Sequence, residues 1–109
     1  SLPKKVRKAA LISVLSSKLQ NDRLMVVDNI ELEQPKTKLF AETIKALGVD
    51  SDKTLFVTPQ KDESLVRSSR NIYRALVLPT EGMNVYDLLR FDRLVLLKSS
   101  IPMIVERLS

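Results

Sequence analysis

The 109-residue sequence contains no cysteine, no histidine and only two glycines. The first two absences exclude disulfides, thiol nucleophiles and zinc sites built on cysteine or histidine. Dinucleotide-binding and P-loop sites need closely spaced glycines after a strand, and Gly48 and Gly82 are too far apart for either. No apolar run approaches the roughly 18 residues that a membrane span requires. These absences exclude many classes of enzyme. We expect neither a cofactor nor a membrane partner.

Positive charge is what the sequence has in excess. Its 18 lysines and arginines outnumber its 13 acidic residues, which gives a formal net charge of +5. A basic chain of this kind favours an anionic partner. The hydrophobic content of 44% and the charged content of 28% are typical of a soluble globular protein. The length is that of one domain, so we expect residues 1–109 to form a single α/β domain.

A helical pattern runs through the first 19 residues, basic at its front and apolar behind. At about 100° per residue, one stripe of this helix carries two lysines followed by three leucines. We expect the leucines to face a core and the front of the helix to overhang the domain, because lysines cannot be buried unpaired without a large desolvation cost. The stripe consists of Lys4, Lys8, Leu11, Leu15 and Leu19.

Four cations lie at the start of this helix, where the positive end of the helix dipole disfavours each by about 0.3–1 kcal/mol. No acidic residue precedes Asp22 to offset them. A polyanion outside the chain, RNA above all, would stabilise this arrangement. A solvated basic face is the alternative that charge alone leaves open. The four cations are Lys4, Lys5, Arg7 and Lys8.

Four short apolar runs alternate with helical patterns along the chain. This order is typical of a parallel sheet with helices on both faces and right-handed crossovers. The first run is continuous, which predicts a strand covered on both faces. Asp62, Asn84 and Ser100 are predicted N-caps, and Gly48 is predicted to end the second helix. The predicted strands are residues 24–27, 54–58, 75–78 and 93–97.

A second basic group precedes the third strand. Arg67, Arg70 and Arg74 are spaced three and four residues apart, so they share a face if the preceding helix extends that far. Guanidinium groups bind phosphates, and Asn71 adds a neutral donor suited to sugar and phosphate oxygens. A solvated helix end with cations at the favourable end of its dipole is the alternative.

Two weaker features could also serve RNA. Lys36 and Lys38 form a basic pair at the start of the second helix. Tyr73 and Tyr86 could stack on bases. For the tyrosines we expect packing beneath loops instead.

The carboxyl ends of the predicted strands support a rival interpretation, since open α/β folds bind ligands there. Asp28, Thr58 and Lys98 end the first, second and fourth strands. This favours a receiver-like or small-ligand-binding α/β signalling domain. A receiver, however, needs a cluster of acids with a phosphoacceptor aspartate on a central strand, where this chain has Thr58 or Pro79.

The chain contains five short segments, namely LPKKVRKAAL at residues 2–11, PKTK at 35–38, SRNI at 69–72, EGMNVYDLL at 81–89 and LVLL at 94–97. Their order and spacing resemble the bacterial-type ribosomal protein L4 family of the large subunit. The resemblance covers essentially all 109 residues. Several motifs in one order are far more specific than any one of them.

The resemblance implies a three-layer α/β/α domain with a four-stranded parallel sheet. It implies a structural, non-enzymatic constituent of the large ribosomal subunit, bound to large-subunit ribosomal RNA and to neighbouring large-subunit proteins. Some members of the family also bind the messenger RNA of their own operon. The implied location is a cytoplasmic ribosome of the bacterial type or an organellar one. The family's N-terminal portion and its long RNA-threading loop would precede Ser1.

Two basic groups match family motifs residue by residue. The cations of the first helix match the family's basic helix entry after the loop, and Arg70 with Asn71 matches its short Arg-Asn motif. We expect RNA contacts that go mostly to phosphates and follow shape. The predicted RNA-binding residues are Lys4, Lys5, Arg7, Lys8, Lys36, Lys38, Arg67, Arg70 and Asn71.

Overall fold

The computed structural model describes residues 3–30 and 36–109; the predicted RNA-binding residues all lie within these ranges. The helices are α1 (Lys4–Gln20), α2 (Thr37–Ala46), α3 (Glu63–Ser69), α4 (Val85–Arg90) and α5 (Ile101–Leu108). The strands are β1 (Leu24–Val27), β2 (Thr54–Thr58), β3 (Ala75–Pro79) and β4 (Arg93–Leu97). Short 3₁₀ turns follow β3 and β4. All four predicted strands are confirmed, with Pro79 added to the third.

The four strands form one parallel sheet in the order β1-β4-β2-β3. The amino-terminal residues of neighbouring strands are in register, since Thr54 pairs with both Ala75 and Arg93. Leu24 pairs with Leu94 on the far side of β4. The predicted parallel α/β class is therefore confirmed.

Two hydrophobic cores cover the two faces of the sheet, because side chains alternate along each strand. One core contains Leu55 and Val57 of β2 together with buried residues of α1, α4 and α5. The other contains Phe56 of β2 together with buried residues of α2 and α3. There the ring of Phe56 lies 5.1 Å from that of Phe40. The result is the three-layer α/β/α arrangement that the family resemblance implies.

The connections place the helices in these layers. The chain moves across the sheet from β1 to β2 and β3 through α2 and α3, both on one face. It then returns from β3 to β4 through α4 on the opposite face. The return connection runs across the sheet in the opposite direction and on the opposite face, so all the crossovers have the same, right-handed sense, as is usual for parallel strands.

The sheet has two distinct ends. Helices that connect parallel strands run antiparallel to them, so α2, α3 and α4 begin near the end where the strands finish. We call this end the carboxyl edge and the end where the strands begin the amino edge. Local signals set the helix limits: Asp62 accepts from the N–H of Leu65 at 3.1 Å, Asn84 accepts from that of Asp87 at 2.9 Å, and Gly48 follows α2 with a φ of 77°. The predicted N-caps at Asp62 and Asn84 and the predicted helix-ending glycine are confirmed. Ser100 precedes α5 as predicted, but it makes no side-chain capping bond, because its hydroxyl donates to the carbonyl oxygen of Leu97 at 2.6 Å instead.

Two predictions of burial are wrong. β1 is an edge strand with β4 as its neighbour, and Val26 is 50% exposed, so the strand is not covered on both faces. Leu11 is buried and Leu15 packs against the same core, but Leu19 is 63% exposed. Each step of four residues turns a helix by about 40°, so Leu19 has rotated away from the core by about 80° relative to Leu11.

The predicted packing of the tyrosines is also wrong. Tyr73 is 86% exposed in the turn that leads into β3, and Tyr86 is 72% exposed on the outer side of α4. The guanidinium of Arg90 lies 5.6 Å from the ring of Tyr86. Tyr86 faces outward because Val85 and Leu88 fill the inward positions of α4, and neither tyrosine lies beneath a loop.

Candidate RNA interface

The front of α1 is the most basic feature of the fold. The helix begins after Pro3, whose carbonyl oxygen accepts from the N–H groups of Val6 and Arg7 at 3.1 Å. It has no side-chain cap and no acidic residue in its first turn. The helix therefore begins without the side-chain stabilisation that Asp62 gives α3 and Asn84 gives α4.

The back of α1 is attached to the amino edge. The ammonium of Lys18 donates to the carbonyl oxygen of Phe91 at 2.5 Å, just before β4 begins. Burial of this ammonium lowers the pKa of Lys18, and the positive charge of Arg23 also lowers it, while Asp92 acts in the opposite direction. The helix has 17 residues, which makes it about 25 Å long and longer than a five-residue strand. Its front consequently extends past the carboxyl edge, as predicted.

The cations at that front are not all alike. Lys4, Lys5 and Arg7 are exposed, whereas Lys8 is half-buried. The ammonium of Lys8 donates to the backbone oxygen of Ser109 at 2.7 Å. α1 thus meets the end of α5, a helix from the opposite end of the chain.

A cleft of about 350 Å³ lies between the front of α1 and the end of α5. Its lining combines cations with two leucines, and it includes an arginine that is absent from the predicted RNA-binding residues. Arg107 lies alone near the end of α5, with no basic neighbour in sequence to mark it. Its guanidinium donates to the carbonyl oxygen of Thr80 at 2.6 Å, directly after β3. The lining residues are Lys4, Arg7, Lys8, Leu11, Arg107 and Leu108.

α2 begins in the same manner as α1, in the other helix layer. Lys36 precedes its first residue without a side-chain capping bond, and its first turn contains no acidic residue. Lys36 and Lys38 are both exposed. Since α2 ends near the amino edge, its start lies toward the carboxyl edge, across the sheet from the front of α1.

The second predicted basic group lies at the opposite end of the sheet. α3 ends at Ser69, and Arg70 follows it as the C-cap. The helix does not extend to Arg74, so the condition for a common face of the three arginines is not met. The carbonyl oxygen of Arg74 accepts from Thr54 at the amino edge, and its guanidinium donates to the carbonyl oxygen of Ser51. Arg67, Arg70 and Asn71 remain exposed.

Few of the cations are neutralised by an acid. In the described ranges, 3–30 and 36–109, two of the 18 basic residues form ion pairs: Arg90 with Asp87 at 3.1 Å, and Arg93 with Asp52 at 2.7 Å. Among the predicted RNA-binding residues, Lys8 makes a side-chain hydrogen bond, and the structure records none for the others. Their charges are available to an external anion.

The residues that end the strands support a receiver-like or ligand-binding signalling domain less well than the exposed cations support RNA binding. The hydroxyl of Thr58 is buried and donates to the carbonyl oxygen of Gln60 at 2.6 Å, so it is part of the turn after β2. Asp28 and Lys98 are exposed. No group of three potential metal-ligating side chains occurs within the described residues. Across those same residues, the helices are too short or too polar to cross a membrane.

The fold and the distribution of charge together define a small parallel α/β/α domain whose helix fronts present uncompensated cations. The chain matches the profile of the ribosomal protein L4/L1 family over residues 1–107, and it belongs to that family. The family resemblance carried by the five segments is thereby confirmed.

Three bacterial relatives illustrate the match, each named large ribosomal subunit protein uL4. The protein of Aquifex pyrophilus is 50% identical over 107 residues, covering 97% of this chain and 54% of the relative. That of Desulfatibacillum aliphaticivorans is 49% identical over 107 residues, covering 98% and 51%. That of Clostridium beijerinckii is 40% identical over 106 residues, covering 97% and 50%. This chain spans about half the length of the curated relatives it matches.

Proposed function

We propose that this chain is a structural, non-enzymatic part of the large ribosomal subunit and binds large-subunit ribosomal RNA through the cations at its helix fronts. The observation that carries the proposal is the start of α1. Four cations occupy a helix end where the dipole disfavours them, with no capping side chain and no acid in the first turn. Phosphates outside the chain would reverse that penalty.

The predicted residues divide into two contact surfaces under this proposal. One surface, at the carboxyl edge, contains the front of α1 and the Lys36–Lys38 pair of α2. The other, at the amino edge, contains Arg67, Arg70 and Asn71. A domain with basic groups at both ends of its sheet suits a folded RNA that surrounds it, because contacts to phosphates follow shape more than sequence.

Further partners follow from membership of the family. We propose neighbouring large-subunit proteins as partners, and the exposed apolar side chains of α4, Tyr86 and Leu89, offer a surface for them. We also propose that the same cations bind the messenger RNA of the chain's own operon. The proposed location is a cytoplasmic ribosome.

The test is the salt dependence of RNA binding. The purified chain is titrated with a large-subunit ribosomal RNA transcript at a series of KCl concentrations, and the slope of log K against log[KCl] is measured. Replacing Lys4, Lys5, Arg7 and Lys8 together by glutamine should weaken binding and reduce the slope by roughly 0.7–0.9 for each phosphate that the chain no longer neutralises.

The matched control removes four exposed lysines outside the predicted set: Lys45, Lys53, Lys61 and Lys98. It should retain a steeper slope than the first variant, and equal losses would show that only bulk charge matters. A chain that binds no RNA at low salt would overturn the proposal. If it instead took up phosphate from a small phosphodonor, the rival signalling interpretation would be favoured.

A further inference from the structure

We infer that the cleft between α1 and α5 holds one backbone phosphate of the bound RNA, and that Arg107 is a contact residue of this phosphate site. The inference rests on the proposed RNA-binding function and deepens it. Arg107 is not among the predicted RNA-binding residues. Of the four predicted cations of α1, Lys4, Arg7 and Lys8 line the cleft and Lys5 does not.

The geometry of the cleft comes from two helices at opposite ends of the chain. Lys4, Arg7 and Lys8 lie along one side of α1, and Arg107 faces them from α5. Leu11 and Leu108 also line the cleft; Leu11 is 5% exposed, so the accessible apolar surface comes mainly from Leu108, which is half-buried. A phosphate with its flanking ribose matches such a lining, because the ribose carbons can pack on Leu108 while the cations contact the phosphate oxygens.

Two of the four cations are held in place without losing their charge to a side-chain carboxylate. Lys8 is fixed by the backbone oxygen of Ser109 at 2.7 Å, and Arg107 by the carbonyl oxygen of Thr80 at 2.6 Å. A guanidinium has five N–H donors, so Arg107 retains donors for a phosphate. None of the residues that line the cleft is acidic.

The anchoring of Arg107 also lowers the entropic cost of binding. A free surface arginine loses rotamer freedom when it grips a ligand, whereas Arg107 is already tied to the carboxyl edge of the sheet. Lys5 is different, since it is exposed and does not line the cleft. The cleft therefore separates Lys5 from the other three cations of α1.

The experiment compares single-charge variants of the full chain in the same RNA titration. Arg107→Gln should bind the transcript about tenfold more weakly, the effect of losing a hydrogen bond to a charged group. Its salt slope should fall by about 0.7–0.9. Arg107→Lys keeps the charge but loses the forked donor geometry, so it should retain the slope and show an intermediate affinity.

Two matched controls remove one cation outside the cleft. Arg23→Gln changes an exposed arginine beside the amino edge, and Lys45→Gln changes an exposed lysine near the end of α2; neither belongs to the predicted RNA-binding set. Each should weaken binding less than Arg107→Gln does. Thermal unfolding of every variant checks that it is folded. If Arg107→Gln is unfolded, Arg107→Lys is tested in its place. A wild-type RNA affinity of Arg107→Lys would then overturn the inference.

The other possible results distinguish a failure of the phosphate site from a failure of the RNA-binding function itself. If the chain binds the transcript and Arg107→Gln matches Arg23→Gln in affinity and slope, the inference is wrong while the RNA-binding function stands. If the wild-type chain does not bind RNA, both are wrong. If Arg107→Gln abolishes binding of an acidic polyglutamate peptide and leaves RNA binding unchanged, the cleft is a site for a protein segment, and the inference is again wrong.

Discussion

The ammonium of Lys18 and the carbonyl oxygen of Phe91 lie 2.5 Å apart and join the back of α1 to the turn before β4. This bond crosses 73 positions of the chain. It holds the back of α1 at the amino edge, while Leu11 and Leu15 pack the helix against the core. The bond and the basic front therefore lie at opposite ends of the same helix.

Replacing Lys18 by methionine should lower the free energy of unfolding by about 1 kcal/mol, because the carbonyl oxygen of Phe91 loses its partner. Chemical denaturation measures the change. Lys5→Met is the matched control, since it makes the same substitution on an exposed lysine without a side-chain partner in the described residues, and it should leave stability nearly unchanged. Equal stability of the two variants would contradict the role of this bond.

The leucines of α1 should differ in their contribution to stability. Leu11 is 5% exposed in the core beneath α1, so Leu11→Ala should destabilise the fold by about 3 kcal/mol. Leu19 is 63% exposed, and Leu19→Ala should change stability by less than about 0.5 kcal/mol. Urea unfolding of both variants checks this. Similar losses would mean that Leu19 packs against the core after all.

The ion pair between Asp52 and Arg93 predicts a dependence of stability on acid. The hydrogen bond that Asp52 accepts from Arg93 at 2.7 Å lowers the pKa of Asp52 below its ordinary value of 3.8. A carboxylate whose pKa is lower in the folded state stabilises the fold above about pH 3.8, and this contribution is lost as the pH falls through the lowered pKa.

The wild-type chain should therefore be more stable than Asp52→Asn near neutral pH, and the difference should shrink as the pH is lowered from neutral to below the ordinary pKa of 3.8. Thermal unfolding across that range measures it. Asp50→Asn alters a carboxylate that has no ion-pair partner in the described residues, and it serves as the control. A difference that persists unchanged at low pH would rule out the ion pair as its source.

Gly48 and Gly82 should respond differently to alanine. Gly48 has a φ of 77° and no atom within 4 Å of the position that a Cβ would occupy, so Gly48→Ala should cost about 1 kcal/mol through backbone strain alone. At Gly82 no positive φ is required, and the nearest atom, Cδ of Pro79, lies 3.4 Å away. Gly82→Ala should cost less. A stability order opposite to this would show that crowding at Gly82 outweighs strain at Gly48.

Most of the fold is predictable from local patterns. The strands are recognisable because each short apolar run ends at a proline, such as Pro59 or Pro79, or at a polar residue. The caps at Asp62 and Asn84 are recognisable because each side chain accepts a hydrogen bond from the backbone three residues later. Such signals lie within a few positions of the sequence. The coverage of β1 is not predictable in this way, because it depends on which strands neighbour it in the sheet.

The candidate interface is predictable only in part. The cations of α1 stand out because they adjoin one another at a helix start without an acid. Arg107 does not, because its partners, Thr80 and the front of α1, lie 27 and about 100 positions away. The exposure of Tyr73 and Tyr86 is likewise hidden in the sequence, since an aromatic residue in a short polar segment fits either a buried or an exposed position.

The sequence by itself determined the order of helices and strands, the parallel α/β class and the four cations at the front of the first helix, because periodicity, capping and charge are local properties. The tertiary structure alone decided what those cations face. It separated the two basic groups onto opposite edges of the sheet and placed Arg107 in one cleft with Lys4, Arg7 and Lys8. The physical reason is that a cleft is formed by surfaces whose residues are distant in the chain, and packing of the two cores sets their meeting point.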